Sequence, residues 1–207
     1  MIEGLSIAVM AHEKRADRMD YLIDHLGVIP IFMDKGKIGD EGNLGPWGNA
    51  KRAWRAYDPD AVFHMVVQDD VIFGKHFFAR IKSLLEKYGN YYAYCLFANG
   101  NGRTKDEAFL NGIKKPLNTV IHQELYSGLA VILPTHHIGP MIEFGDKCTY
   151  DRGRGTWLDD DARISEYLKH TGVKVVYPIP SLVQHNKKLD SLIGYGHNRA
   201  RQAKFFI

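Results

Sequence analysis

The chain has 207 residues, 45% of them hydrophobic and 25% charged, with a formal net charge of +3. These ordinary globular proportions suit one domain, or one with a small appendage. No apolar run approaches the roughly 18–20 residues of a membrane span, and an acid precedes the short apolar run of the N-terminus, unlike a basic signal peptide. A soluble, cytoplasmic protein is expected. Cys95 and Cys148 are the only cysteines, and without CxxC spacing they suggest neither a disulfide framework nor a cysteine zinc site.

In chain order, "LSIAVM" (5–10) predicts a first strand. "KRADRMDYLIDHL" (14–26) predicts a helix with Met19, Leu22, Ile23 and Leu26 on one face, ended by Gly27. "VIPIFMD" (28–34) is a second strand, and the glycine-rich 36–45 is a mobile loop before a helix whose first turn holds Pro46. A third strand (61–68) leads to a helix near 75–88, then a strand at 91–98 and an irregular excursion over 99–116. Strands follow in "TVIHQEL" and "GLAVILP", then a polar loop (146–156) and a helix over "WLDDDARISEYLKHTG", with Thr156 or Asp159 as N-cap and Gly172 as terminator. "VKVVYPIP" is the last strand. Short Val- and Ile-rich runs alternating with stretches of helical period predict an α/β fold with a mainly parallel sheet.

The charge is uneven. From His185 to Ile207, Lys187, Lys188, Arg199, Arg201 and Lys204 face only Asp190, giving +4 and leaving −1 for the rest. Residues 1–185 are therefore expected to form the main domain and 186–207 a basic segment, suited to phosphates of a nucleotide or nucleic acid, or simply solvated.

In "HMVVQDDVIFGKHF" (64–77), Gln68, Asp69 and Asp70 end an apolar strand, the edge where parallel sheets place ligands. Adjacent side chains on an extended segment point opposite ways, so both acids reach one ion only if the chain turns there. One carboxylate on a metal and its neighbour on a sugar hydroxyl is the chemical expectation; an Asp pair at a helix N-terminus is the bland one. Asp159, Asp160 and Asp161 open the late helix, where three acids exceed what the helix dipole requires and one can serve as general base. "PSLVQHNKK" ends a strand in Gln184 and His185, an imidazole able to complete a metal shell or to be purely structural.

Together, "SIAVMAHEKR", "VVQDDV", "SGLAVILPT", "WLDDDARISEYL" and "YPIPSLVQH" resemble, in order, the motifs of GT-A-fold nucleotide-sugar glycosyltransferases. The likeness covers residues 5–190 and is to compact forms from bacterial surface-polysaccharide clusters and phages. It implies a Rossmann-like three-layer sandwich. A DxD-like motif is implied at 68–70, with Gln68 replacing the first acid, Asp69 on ribose or sugar, and Asp70 on Mn2+ or Mg2+ together with His185. It implies Ala11, His12 and Arg15 in the nucleotide pocket, Asp34 on uracil or ribose, and Asn49 and Arg52 facing the same pocket, with solvated helix surface the equal alternative for Arg52. Lys187, Lys188 and Ser191 would cover the diphosphate, with Gly194 and Gly196 as hinges and Trp157 stacking on the acceptor. Transfer from a UDP-sugar, UDP-glucose for instance, would be a single displacement with inversion. Asp161 would be the base, with Asp160 the alternative one residue away.

The hydroxyl acceptor would be a glycan, a lipid-linked sugar or, given the basic tail, a hydroxymethylated pyrimidine in DNA. Two other functions compete. A nucleotidyltransferase needs a glycine-rich phosphate loop that "AVMAHEKRADR" lacks; a catalytically silent nucleotide-sugar or carbohydrate binding module follows if Gln68 abolishes metal binding.

Overall fold

The apolar runs form the strands β1 (Leu5–His12), β2 (Ile31–Asp34), β3 (Phe63–Gln68), β4 (Val71–Phe73), β5 (Tyr92–Cys95), β6 (Asn118–His122), β7 (Ala130–Pro134), β8 (Lys174–Ile179) and β9 (Val183–His185). The helices are α1 (Met19–Leu26), α2 (Gly45–Trp54), α3 (Phe77–Tyr88), α4 (Glu107–Gly112), α5 (Ile138–Lys147) and α6 (Asp160–Thr171). The structure is a computed structural model describing residues 2–37, 40–99, 106–115, 118–148, 160–190, 192 and 202–206.

Seven strands make one sheet in the order β2-β1-β3-β7-β5-β8-β6, while β4 and β9 pair separately. β1, β2, β3, β5 and β8 run one way, β6 and β7 the other, so the sheet is mainly parallel, as predicted. Alternate side chains supply two cores. Ile7, Val9, Met65, Val67, Ile132 and Val176 face Leu22, Leu26, Ile81 and Leu85 of α1 and α3. Ala8, Val66, Val131, Leu133 and Tyr177 face Trp54, Met141, Ile164 and Leu168 of α2, α5 and α6. Helices cover both faces, which is why the strands read as unbroken apolar runs rather than alternating ones. None of the described helices is long and apolar enough to cross a membrane.

Several boundaries differ from the sequence expectation. Residues 13–18 form a 3-10 turn with Arg15 at φ −123°, and α1 starts only at Met19. Gly27 does end α1, at φ +83° with its N–H on Ile23 O, but Ile23 itself is 39% exposed and faces away from the core. Residues 71–73, expected to lead towards a helix, are β4. Part of the irregular excursion is α4, and α5 lies where no element was anticipated, burying Ile138, Met141, Ile142 and Gly145 at helical spacing.

Two internal contacts make the fold testable. Gly145 packs under Trp47, whose Nε1 donates to Asp146 at 2.9 Å and whose ring carries Arg163 at 5.4 Å. A β-carbon at 145 would lie 2.7 Å from Trp47 Cη2 and nearer still to Cζ2 of the same ring, which is pinned from two sides. Gly145→Ala is therefore expected to destabilise the protein by about 1–3 kcal/mol, read from denaturant unfolding. Buried His64 ties α2 to the sheet: Nε2 donates to Ala53 O at 3.0 Å and Nδ1 accepts from Ser6 Oγ at 2.8 Å. Burial lowers its pKa from 6.5 to about 4. Between those values the unfolded chain binds the extra proton, so stability falls as pH drops through the window, by up to about 1.4 kcal/mol per pH unit. Urea midpoints at pH 7 and 4.5 should show that fall, and His64→Gln should flatten it; an equally steep fall in the variant would rule out His64 as its source.

Candidate active site

Because β1, β2 and β3 are parallel neighbours, their carboxyl ends share one edge, where His12 pairs with Asp34 and Met10 with Gln68. β7 runs the opposite way, so the chain entering it reaches that same edge: Gln68 N–H donates to Leu129 O at 2.9 Å. The first turn of α6 brings Asp160 and Asp161. Between them opens a cleft of about 490 Å3. Of the residues expected from sequence, Ala11, His12, Arg15, Asp34, Asn49, Gln68, Asp69, Asp70, Asp160 and Asp161 all line it. Lys14, Lys37, Gly128 and Leu192 also do, and were not anticipated.

The chain does turn at the acid pair. β3 ends at Gln68, residues 69–70 form a turn, and β4 leaves the main sheet to pair with β9, setting Val71 opposite His185. The alternative of a helix-opening Asp pair is thereby corrected, since α3 begins only at Phe77. Asp69 is buried; its Oδ1 accepts from Arg15 Nη1 at 2.5 Å and its Oδ2 from His12 N–H at 2.8 Å. Burial pushes the Asp69 carboxyl above its ordinary range, against the pull of Arg15, and neighbouring Asp70 adds to the rise. Arg15 Nη2 also donates to Asp190 O at 2.5 Å, and Arg18 Nη2 to Val71 O at 2.5 Å, so two guanidinium groups fix the turn. Asp70 Oδ2 lies 3.6 Å from Arg15 Nη1 and 3.2 Å from His185 Nδ1.

No group of three or more His, Cys, Asp or Glu side chains among the described residues is arranged as a metal site. Asp70 Oδ2 and His185 Nδ1, 3.2 Å apart at the inner wall of the cleft, nevertheless make a two-donor pair; His185 is itself fully buried and does not line the cleft, and its Nε2, on the far side of the ring, has no hydrogen-bond partner among the described residues. Two protein donors fit an ion that takes its remaining ligands from phosphate oxygens and water.

Other predicted residues are engaged structurally. His12 Nε2 donates to Gly36 O at 2.8 Å and Nδ1 accepts from Lys14 N–H at 3.2 Å, so its ring organises two loops. Asn49 Nδ2 donates to Ala11 O and Phe32 O, at 3.0 and 3.1 Å, joining α2 to β1 and β2, while its buried Oδ1 accepts from no described residue. Asp34 Oδ1 accepts from Lys35 N–H and Leu44 N–H, closing the glycine-rich loop. Arg52 is outside the cleft: it donates to Met33 O and covers Phe32. Lys187 and Lys188 are exposed and also stand outside it. Thr156, Trp157, Asp159, Ser191, Gly194, Gly196, Arg199 and Arg201 lie outside the described residues. Gly128 matters because a β-carbon there would lie 3.1 Å from both Asp160 Oδ2 and Gln68 Nε2; glycine lets the two carboxylate-bearing elements approach.

No known family model matches the sequence, and no curated protein matches it. A solved structure of a mutant Drosophila beta-1,4-galactosyltransferase 7, in complex with manganese, UDP-Gal and xylobiose, is similar with a TM-score of 0.45 and 9% sequence identity. The match covers 84% of this chain and spans 64% of the length of that one.

Proposed function

We propose that the chain is a GT-A-type glycosyltransferase that moves a sugar, a hexose carried by UDP, onto an acceptor hydroxyl with inversion. The observation that carries this is the meeting of two carboxylate pairs, Asp69–Asp70 from the β3–β4 turn and Asp160–Asp161 from α6, in one cleft with Lys14, Arg15 and Lys37. The cations follow β1 and β2, the side on which a nucleoside diphosphate would lie. The α6 acids approach from the other side, through the gap left by Gly128.

In the displacement, the acceptor oxygen bonds to the anomeric carbon as the bond from that carbon to the diphosphate oxygen breaks, its electron pair leaving with the diphosphate. An α6 carboxylate takes the hydroxyl proton. Asp160 is favoured for this over Asp161, reversing the preference drawn from sequence register. Its Oδ2 is the carboxylate oxygen beside Gly128 and Gln68, whereas Asp161 faces fully buried Cys95 and Tyr177, whose pKa values burial raises and the Asp161 charge raises a little further. Asp70 and His185 are the residues that would hold Mn2+ or Mg2+, which when bound supplies positive charge to the departing diphosphate. Asp69 is a positioning residue, since Arg15 and His12 occupy its oxygens. Of the chain after β9, Asp190 O, on Arg15, and Leu192 reach the cleft, where they would cover the diphosphate, while Lys187 and Lys188 stay outside it. The described residues give no support to a nucleic-acid acceptor.

Incubated with Mn2+, UDP-hexoses and a panel of glycan acceptors, the protein should release UDP and form a product detectable by mass spectrometry. Asp160→Asn should slow turnover by about 10²–10⁴-fold while calorimetry still shows UDP binding; equal loss in Asp161→Asn alone would return the base to Asp161. UDP binding without any release across the panel would instead favour a silent binding module. Asp70→Asn should abolish the mutual strengthening of Mn2+ and UDP binding, which must be reciprocal if the two share a site.

A further inference from the structure

Arg15 stands where a cation is needed. It is only 7% exposed, lies in a kink of the 3-10 turn after β1, and places one guanidinium nitrogen, Nη1, between the two acids of the β3–β4 turn. The two contacts are unequal. Asp69 is held at 2.5 Å and has a second fixed donor in His12 N–H, so it retains its place whatever happens at Asp70. Asp70 Oδ2 is 3.6 Å from the guanidinium and 3.2 Å from His185 Nδ1. An ion shared by Asp70 and His185 Nδ1 would take this oxygen, the one that faces Arg15. A guanidinium and a divalent cation both within about 4 Å of one buried carboxylate oxygen repel strongly, because little water separates them.

We propose that Arg15 is an internal competitor of the divalent ion: it holds Asp70 in the metal-free protein, and the ion gains Asp70 only as the guanidinium withdraws. This rests on Asp70 and His185 being the metal pair. Withdrawal breaks the longer contact and keeps the shorter, so Arg15 pivots on Asp69. Because Arg15 Nη2 also holds Asp190 O, the pivot shifts the segment after β9, from which Leu192 lines the cleft. The divalent ion alone therefore binds weakly, and the segment after β9 responds to it.

The test is Mn2+ titration of the full chain at fixed pH, following the paramagnetic-resonance signal of the free ion. Arg15→Met should bind Mn2+ about tenfold tighter than the wild type, the gain vanishing in an Arg15→Met, Asp70→Asn double variant. Without metal, Arg15→Met should melt below the wild type, and Mn2+ should raise its melting temperature by more. Equal or weaker Mn2+ binding by Arg15→Met, with binding still abolished by Asp70→Asn, overturns the competition and leaves the metal pair standing. No Mn2+ binding by wild type or Arg15→Met, with or without UDP, removes both. Should Arg15→Met fail to fold, Arg15→Lys serves, since an ammonium lacks the second arm that grips Asp190. Its Mn2+ affinity should rise about threefold, and no rise overturns the proposal.

Discussion

Asp69 and Arg15 are 4% and 7% exposed and meet at 2.5 Å, so bulk water hydrates neither charge. Removing one partner of such a pair typically costs about 3–5 kcal/mol, because the other is left buried and uncompensated. Through this contact three segments depend on one another: the turn after β1, the β3–β4 turn, and the chain after β9 that offers Asp190 O. The same demand explains why residues 13–18 form a kinked 3-10 turn rather than an α-helix. An α-helix from residue 14 would follow the path of α1, whereas the kink at Arg15 aims its side chain at the strand ends.

The sheet order then determines what meets that pair. Three parallel strands, β2, β1 and β3, deliver Asp34, His12 and Gln68 to a common edge, and antiparallel β7 adjoins β3 with its entrance there. A reversed strand at this place brings a chain start, Ser127–Leu129, beside a strand end. With glycine at 128 the α6 carboxylates close in against Gln68. Parallel order thus assembles the side with Asp34, His12 and Gln68, and a single reversal admits the α6 carboxylates.

Much of this was legible in sequence because strands buried on both faces are long apolar runs, and their ends are marked by abrupt polar residues such as Gln68 and His185. Asp69–Asp70 stood out for that reason. The turn itself did not, since Val71, Ile72 and Phe73 continue the apolar character and only pairing with β9 makes them a separate strand. α5 carries the i, i+3, i+4, i+7 spacing of a helix in Ile138, Met141, Ile142 and Gly145, but two glycines and a proline within ten residues mask it. Arg52 was misplaced because helical spacing puts it one turn from Asn49, yet its long side chain folds back onto Phe32 and Met33 O. Lys14 and Lys37 are surface-like in composition and gain meaning only where β1 and β2 end side by side. The roles of Asp69 and Asp70 differ through hydrogen bonds made by residues more than 50 positions away, which no local pattern contains.

Charge is segregated within the cleft, and this gives it a direction. Asp34, Asp69, Asp70, Asp160 and Asp161 outnumber Lys14, Arg15 and Lys37, so an anionic diphosphate entering without a counter-ion would meet net negative charge. The three cations, however, all come from the loops following β1 and β2. A diphosphate is therefore favoured on that side, and further positive charge beside Asp70 would strengthen the preference. At the other end the α6 acids repel phosphate but accept hydrogen bonds from neutral hydroxyls, so the same field that would draw a diphosphate to one side leaves the other suited to an uncharged hydroxyl group.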